Sequence, residues 1–221
     1  MRKAVAMVGV VCLVLAGAMA LAAEEPEAIQ PKEKMELFNG KDFTGWTFCL
    51  RGKNEPGDTF KVEEGVIKCS GRPAGYMRTE KAFKNYKLTV EWRFIKPGNS
   101  GVLVHMSGQD RVWPRSLECQ GQYHAQGDFW VIGGFEFKEH KAGGKRVRGR
   151  NVRKLGEHNE KKLGEWNVYE ILCDGTTVIP SVNGKVMNEA HECSDTSGKI
   201  CIQSEGAGWE CRKVTVEPIT K

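Results

Sequence analysis

The sequence lacks the short motifs that mark several large enzyme classes. It has no nucleophile elbow, no phosphate-binding loop and no H-E-x-x-H pair, so the usual signatures of serine hydrolases, nucleotide-binding proteins and zinc proteases are missing. It also has no C-x-x-C pair, which argues against a structural zinc site or a dithiol redox centre. Function therefore has to be sought in the arrangement of individual polar residues.

Long apolar runs are scarce as well, and the main one stands at the start of the chain. Arg2 and Lys3 precede an apolar stretch over residues 4–15, and small residues follow up to Ala23. This order is typical of a secretory signal peptide. A permanent membrane anchor is the weaker alternative, because a spanning helix needs roughly 20 apolar residues. We expect residues 1–23 to be removed, the protein to be exported to the periplasm or the cell exterior, and no stable membrane insertion to remain.

Cysteine is not scarce, but its number is odd after that removal. The chain has eight cysteines, of which Cys12 lies in the signal segment and seven remain, so at least one thiol stays unpaired even in an oxidising compartment. Most lie in strand-like runs, where Cys behaves as a small buried hydrophobe. If Ser204 and Gly208 flank a tight turn, Cys201 and Cys211 lie opposite each other in a hairpin. A disulfide between them is one possibility, although directly opposed positions often strain such a bond.

The rest of the chain is expected to form one domain. Residues 24–34 carry Pro26 and Pro31 among charged residues and are interpreted as a linker. Residues 35–221 have the length of a single domain with a substantial core.

Positive charge is concentrated in one segment of that domain. The net charge is +5, and the stretch from Lys138 to Lys162 holds ten Lys or Arg against three Glu. This glycine-containing stretch shows no strand pattern, which predicts a long basic loop insertion near residues 133–163. Such a loop could bind an anionic polymer. A solvated insertion is the simpler alternative, and export argues against nucleic acid as a partner.

Short strands separated by turns account for most of the domain. The clearest period-two alternation runs through residues 87–94, where every second residue is apolar. The pairs Asp174-Gly175 and Asn183-Gly184 predict a three-stranded meander over residues 166–188. The pattern indicates an all-β fold, an antiparallel two-sheet sandwich or jelly roll, with a closed barrel as the alternative.

Polar residues interrupt or adjoin several of these apolar strands. They are Glu118, Gln120, His105, Asp128, Gln203 and Arg212. Glu118 and Gln120 are two residues apart and so share one face of a strand. If the strands belong to one sheet, its concave face combines groups that suit a sugar. The alternative is that each residue lies on the solvent side of a half-exposed strand, with Arg212 pairing with Glu118 or Glu210.

Two tryptophans lie close to Glu118 in the sequence. Trp113 and Trp130 stand in or near predicted loops, and an indole face packs well against the C–H surface of a sugar ring. They are predicted to form walls of a ligand site, with core packing as the alternative. Core packing is the stronger interpretation for Trp92 and Trp166, which stand within apolar strand patterns.

The same residues carry a resemblance to a known family. Seven segments between Leu37 and Arg212 resemble the 3-keto-disaccharide hydrolase domain family: Leu37 to Trp46, Asn99 to Val102, Trp113 to Gln120, Gly127 to Trp130, Gly164 to Asn167, Val182 to Gly184, and Gly198 to Gln203 followed by Arg212. The resemblance implies a concanavalin A-like jelly roll and cleavage of glycosides already oxidised at C3. The chain departs from the family pattern with Arg212-Lys213, where Arg-Asn is usual, and with a longer, more basic insertion.

The implied reaction needs two proton-transfer groups. A ketone at C3 acidifies the C2 proton, so a base can remove it while the C1 oxygen leaves with a proton from an acid, and water then adds. Glu118 is predicted to be base or acid, with His105 or Asp128 as its partner. The substrate-binding residues are expected to be Gln120, Trp113, Trp130, Gln203, Arg212 and Asn99, some of them stabilising the enolate oxygen.

Two other functions remain open at this point. The same sandwich could be a non-catalytic carbohydrate-binding module, or a scaffold that binds an anionic polymer through the basic loop. No residue spacing predicts a metal site, although loop oxygens could hold a divalent ion such as Ca²⁺.

Overall fold

The computed structural model describes residues 27–220. This part of the chain forms strands and one short helix in the following order: β1 (Met35–Glu36), β2 (Trp46–Leu50), β3 (Phe60–Glu63), β4 (Val66–Cys69), β5 (Gly75–Thr79), β6 (Phe83–Lys84), β7 (Tyr86–Phe94), β8 (Gly101–Ser107), β9 (Arg115–Gln120), β10 (Phe129–Ile132), α1 (Lys138–Ala142), β11 (Val147–Arg148), β12 (Asn151–Val152), β13 (Asn167–Asp174), β14 (Thr177–Val182), β15 (Lys185–Val186), β16 (Ser197–Ser204) and β17 (Trp209–Glu217).

The strands form two antiparallel sheets. The first has the order β15-β14-β13-β7-β17-β4-β3, with β1 paired to β17, and the second has the order β11-β12-β10-β9-β8-β16-β5-β2, with β6 paired to β16. The predicted antiparallel two-sheet jelly roll is confirmed. The barrel alternative is wrong, because the strands divide between two separate sheets.

The core lies between the sheets. Along β7 the residues alternate between buried and half-buried positions, and Leu88, Val90 and Trp92 are fully buried. In the second sheet, Val102 and Leu117 belong to the same apolar cluster. Since successive side chains of a strand point to opposite faces, the intervening residues of β8 and β9 face away from this core.

The meander predicted for residues 166–188 is confirmed. β13 pairs with β14 and β14 with β15, all antiparallel. In the second turn Asn183 and Gly184 have φ values of 48° and 79°. A two-residue turn with both φ values positive matches the twist of a hairpin, which explains the Asn-Gly pair.

The basic segment at residues 133–163 is more ordered than predicted. It contains α1, β11 and β12, and β12 extends the second sheet by pairing with β10. The prediction of a segment without strands is therefore wrong. The missed strands have two residues each, too few for an alternating pattern to appear in the sequence.

The predicted linker, residues 24–34, contacts the domain over its described part. The Ile29 N–H donates to the Ala82 carbonyl at 2.8 Å, and the Lys84 N–H donates to the Ile29 carbonyl at 2.9 Å. The signal peptide predicted for residues 1–23 lies outside the described residues. The described part of the chain contains no helix with the length and hydropathy of a membrane span.

The hairpin expected around Ser204 and Gly208 does not form. Cys201 is in β16 of the second sheet and Cys211 in β17 of the first. The two residues are thus not opposed in one hairpin, and both are free thiols. The prediction failed because the chain crosses between sheets at a turn that the sequence pattern alone assigns to one sheet.

Candidate functional site

Four neighbouring strands of the second sheet build the candidate site. β10, β9, β8 and β16 are adjacent in that order. Trp130 pairs with Glu118, and Glu118 with Leu103, so these three side chains form one row across the sheet, on the face turned away from the core. Gln120 pairs with Gly101 in the next row on the same face.

A cavity of about 280 Å³ opens over this face. Nine residues line it: Asn99, Trp113, Glu118, Gln120, Gln122, Trp130, Ile132, Arg150 and Glu205. Five of the residues predicted from the sequence therefore lie together. Such a volume is close to the lower end of roughly 300–1,000 Å³ for ligand pockets.

Glu118 is the most strongly perturbed carboxyl group of the cavity. The residue is 5% exposed, and its Oε1 has no hydrogen-bond partner among the described residues. Burial raises the pKa of Glu118 to about 8; the nearby negative charge of Glu205 adds to the rise, while Gln203 and Arg150 oppose it. Glu118 is therefore protonated at neutral pH and can donate a proton to a ligand.

Gly101 makes room for this carboxyl group. A Cβ atom there would lie 2.7 Å from Glu118 Oε1 and would collide with Gln203 Oε1. Both oxygens are buried without a hydrogen-bond partner within residues 27–220. The Glu118 carboxyl oxygen and the Gln203 amide oxygen thus both occupy the space over Gly101, where another residue would have its side chain.

Glu205 supplies a second carboxyl group that the sequence did not reveal. It follows β16 directly and lines the same cavity. Burial raises the pKa of Glu205, and a hydrogen bond with Trp113 opposes the rise. A glutamate in the turn Ser204-Glu205-Gly206 has no local pattern that separates it from a solvent-exposed turn residue, so it was missed.

Two amide side chains of the cavity differ in whether their oxygen accepts hydrogen bonds from the protein. Gln120 Oε1 accepts the N–H groups of Gly121 at 2.8 Å and Gln122 at 3.0 Å. This leaves the amide nitrogen of Gln120 available to a ligand. Asn99 Oδ1, in contrast, is buried without a partner in the described region.

The two predicted tryptophans form walls of the cavity, and a guanidinium covers each of them. Trp113 is 41% exposed, and the Arg51 guanidinium lies 5.6 Å from its ring centroid. Arg150 lies 5.8 Å from the Trp130 centroid. Arg150 comes from the basic segment, which therefore contributes directly to the site.

His105 does not line this cavity. It is fully buried, with a left-handed φ of 55°, and its ring centroid lies 6.5 Å from that of Phe135. Burial lowers the pKa of His105 to about 4, opposed by Asp195. The irregular pairing of β8 and β9 beyond Val104 breaks the alternation, so the imidazole does not share the face that carries Glu118.

Asp128 also lies outside the cavity and anchors the basic segment. Its Oδ1 accepts the Lys154 N–H at 2.9 Å, and its Oδ2 accepts from Asn151 Nδ2 at 3.4 Å. It borders a separate cleft lined largely by basic residues. Asp128 is thus not placed to exchange a proton with a ligand beside Glu118.

Arg212 belongs to the other sheet. It lies on β17, where its Nε donates to Glu91 Oε2 at 2.9 Å, and not to Glu118 or Glu210. Its guanidinium stacks over Trp166, 4.6 Å from the ring centroid, and Arg93 stacks there at 4.5 Å. Trp166 is therefore held at the surface between two cations, and the prediction that it is a core residue is wrong.

Comparison with known proteins agrees with the fold. A family model described as the 3-keto-alpha-glucoside-1,2-lyase-like domain matches residues 33–217. The chain belongs to this family. Membership in the 3-keto-glucoside lyase-like family confirms the resemblance found in the sequence motifs.

A curated relative is a 3-keto-disaccharide hydrolase from Bacteroides thetaiotaomicron, 27% identical over 172 residues. The match covers 70% of this chain and 57% of that protein, so the chain spans little more than half of the relative's length.

Two solved structures show the same fold. A candidate glycosyl hydrolase from Parabacteroides distasonis superposes with a TM-score of 0.64 at 24% identity, covering 85% of this chain and 94% of that one. The carbohydrate binding module CBM66 from Bacillus subtilis gives a TM-score of 0.54 at 13% identity, covering 78% and 95%. At these identities the likeness concerns the fold.

Proposed function

We propose that this protein cleaves 3-keto-glycosides, including 3-keto-disaccharides, by elimination followed by addition of water. The observation that carries the proposal is the pair of carboxyl groups, Glu118 and Glu205, in one cavity between two tryptophans. Family membership and the name of the Bacteroides relative support the substrate class.

The elimination step requires a base and an acid on the same sugar. The C3 ketone withdraws electrons, so the C2 proton becomes acidic. Glu205, whose pKa is raised by burial, is the proposed base: it takes the C2 proton, and the electron pair of the C2–H bond forms the C1–C2 double bond. Glu118, protonated at neutral pH, gives its proton to the departing C1 oxygen.

The second step returns the groups to their starting states. Water attacks C1 of the unsaturated ketone, its proton passes to Glu118, and Glu205 gives its proton back to C2. The products are the free 3-keto sugar and the released alcohol or second sugar. This scheme differs from ordinary glycoside hydrolysis, in which two carboxyl groups flank an oxocarbenium-like transition state.

The other cavity residues have binding roles in this scheme. Trp113 and Trp130, which line the cavity, pack against the sugar ring in this scheme. The Gln120 amide nitrogen and the Arg150 guanidinium are donors suited to the C3 oxygen, which gains negative charge as the C2 proton leaves. Asn99 offers a buried oxygen to a sugar hydroxyl group. Gln203 does not line the cavity, so its proposed role is indirect, through its contact with the space that Glu118 occupies over Gly101. The signal peptide proposed for residues 1–23 would make the substrate one that is met outside the cytoplasm.

The proposal is tested by incubating the purified protein with 3-keto-glucosides and with the unoxidised parent glucosides. We expect turnover of the keto compounds alone, detected by NMR of the released sugar. Glu118→Gln and Glu205→Gln are each expected to lower kcat at least about a hundredfold, the usual contribution of a general acid or base, while the ligand still binds. Glu189→Gln is the matched control, because Glu189 is exposed and does not line the cavity.

Failure to convert any 3-keto-glycoside would overturn the proposed reaction. If sugars then bind without conversion, and Trp130→Ala weakens that binding, the protein is a carbohydrate-binding module. The structural likeness to CBM66 is the observation that favours this second function.

A further inference from the structure

A second group of side chains lies outside the cavity. The donor atoms of His124, His158 and Glu160 all lie within 4.8 Å of one another. His124 belongs to the loop between β9 and β10, whereas His158 and Glu160 follow β12. The proposed reaction uses none of the three.

We propose that these three residues form a binding site for a transition-metal ion such as Zn²⁺. Two imidazoles and one carboxylate are a common ligand set for zinc, with a fourth position left to water or a further ligand. The proposal does not depend on the activity proposed above, since the three side chains lie outside the Glu118 cavity.

Glu160 is held in place before any ion binds. Its Oε2 accepts a hydrogen bond from the backbone N–H of His124 at 2.6 Å, and its Oε1 accepts one from the backbone N–H of Gln126 at 3.1 Å. These bonds fix the carboxylate beside His124, and each oxygen keeps a second lone pair for a metal. The carboxylate therefore already joins the two loops that a metal ion would connect.

The two histidines lie side by side but are not yet turned toward a common ion. Their rings stack with centroids 4.0 Å apart and an angle of 14° between planes. Because nitrogen lone pairs lie in the ring planes, both rings must leave this stacked arrangement to share an ion. Both side chains are exposed, so rotation about their side-chain bonds can bring the ring nitrogens to the spacing of roughly 3.3 Å set by tetrahedral zinc–nitrogen bonds of about 2.0–2.1 Å. His124 has a left-handed φ of 66°, an uncommon conformation for a residue other than glycine.

The surrounding charge affects which ions can bind. His124 and His158 border a cleft that also contains four positive side chains, Lys145, Arg146, Arg153 and Lys154, and these charges oppose any cation. Asp128 and Glu157 line the same cleft and partly balance them. Nitrogen donors in this setting favour zinc, nickel or copper over Ca²⁺ and Mg²⁺, which require mostly oxygen ligands.

Metal binding would stiffen the edge of the sugar cavity. Tyr123 stacks on His124 with centroids 4.0 Å apart, and the preceding residue, Gln122, lines the cavity. An ion bound at His124 would fix this loop to the segment after β12.

The test is a calorimetric titration of untagged protein with Zn²⁺, in parallel with Co²⁺, whose visible absorption reports tetrahedral coordination. We expect one saturable Zn²⁺ per chain, no comparable binding of Ca²⁺, and weaker binding as the pH falls because protons compete for imidazole nitrogen. His124→Asn and His158→Asn should each weaken binding at least about tenfold. Asn tolerates the left-handed backbone at position 124.

His140→Asn is the matched control, since His140 is a surface histidine outside the group, and it should bind Zn²⁺ like the unaltered protein. As a second measurement, Zn²⁺ should raise the unfolding temperature of the unaltered protein but not of the two site variants. The proposal is overturned if no saturable binding occurs, or if His124→Asn and His158→Asn bind Zn²⁺ as tightly as His140→Asn does.

Discussion

At the scale of single residues, Glu118 links the proposed chemistry to the stability of the fold. Its carboxyl group is buried where neither a lysine nor an arginine pairs with it among the described residues. A group in this position must keep its proton to remain buried at low cost. The same property that makes it a proton donor therefore makes the folded state sensitive to base.

This sensitivity predicts a specific pH dependence of stability. The pKa of Glu118 is about 8 in the folded protein against an ordinary value of 4.5, so between these pH values the folded state holds a proton that the unfolded chain has lost. The stabilising contribution is complete below pH 4.5 and is lost as the pH rises through 8. For the whole interval the loss is on the order of a few kcal/mol.

The measurement is the free energy of urea unfolding at several pH values between 4.5 and 8.5, for the unaltered protein and Glu118→Gln. We expect the variant to gain stability relative to the unaltered protein as the pH rises, because glutamine does not titrate. Parallel curves for the two proteins would show that Glu118 titrates normally.

The sequence predicted some residues of the site and not others, for physical reasons. Glu118 and Gln120 were found because polar residues inside an apolar strand are unusual, and Trp113 and Trp130 because they flank that strand in sequence. Glu205 and Arg150 come from a turn and from the basic segment, where charged residues are expected anyway. Their position in the cavity depends on tertiary packing, which no local pattern records.

At the scale of strands, a glycine in β8 and a glycine directly after β9 have different functions. At Gly101, the atoms nearest to an added Cβ would belong to the side chains of Glu118 and Gln203 and not to the backbone. At Gly121, it would lie 2.9 Å from the Ser100 carbonyl oxygen and would collide with the Trp92 ring. The first position opens the site, and the second allows close packing of the core.

The two alanine variants should therefore separate binding from stability. Gly101→Ala should change the free energy of unfolding by less than about 1 kcal/mol, since side-chain ends can move, but should weaken ligand binding about tenfold or more by displacing Glu118 and Gln203. Gly121→Ala should cost about 1–3 kcal/mol, typical of an overpacked core. Urea unfolding and ligand titration of both variants test this, and equal effects of the two on stability would contradict it.

The strands themselves were largely predictable, because alternation in β7 and the Asn183-Gly184 turn are local signals. The assignment of each strand to one of the two sheets was less predictable, because it depends on contacts between residues far apart in the sequence. The grouping of Arg212 with Glu118 depends on their strands belonging to one sheet. The chain instead passes from β16 in the second sheet to β17 in the first, which sends Arg212 to the opposite side of the molecule.

At the scale of the whole molecule, the described cysteines stabilise the fold as apolar side chains. All seven are free and buried, and burial raises the pKa of Cys69, Cys173, Cys193 and Cys211 to about 12. A thiol reacts as its thiolate, so these groups are protected both by lack of access and by lack of charge.

We therefore expect the seven described thiols to resist alkylation in the folded protein. Iodoacetamide at neutral pH should add no label to them within minutes, and should label all seven in urea without prior reduction. Mass spectrometry counts the labels, and a reducing agent should leave the unfolding temperature unchanged. Rapid labelling of the native protein, or a requirement for reduction in urea, would contradict this expectation.

The pairing of β1 with β17 brings the two ends of the domain together, since Met35 lies opposite Val216. Adjacent strands are about 4.8 Å apart, so a short glycine-containing peptide could join the ends while new termini were opened near Gly143 and Gly144, where a Cβ atom would meet only open space. Such a circular permutant would keep every strand pairing. The domain could equally be inserted into a surface loop of another protein, so that the Glu118 cavity becomes a transferable module.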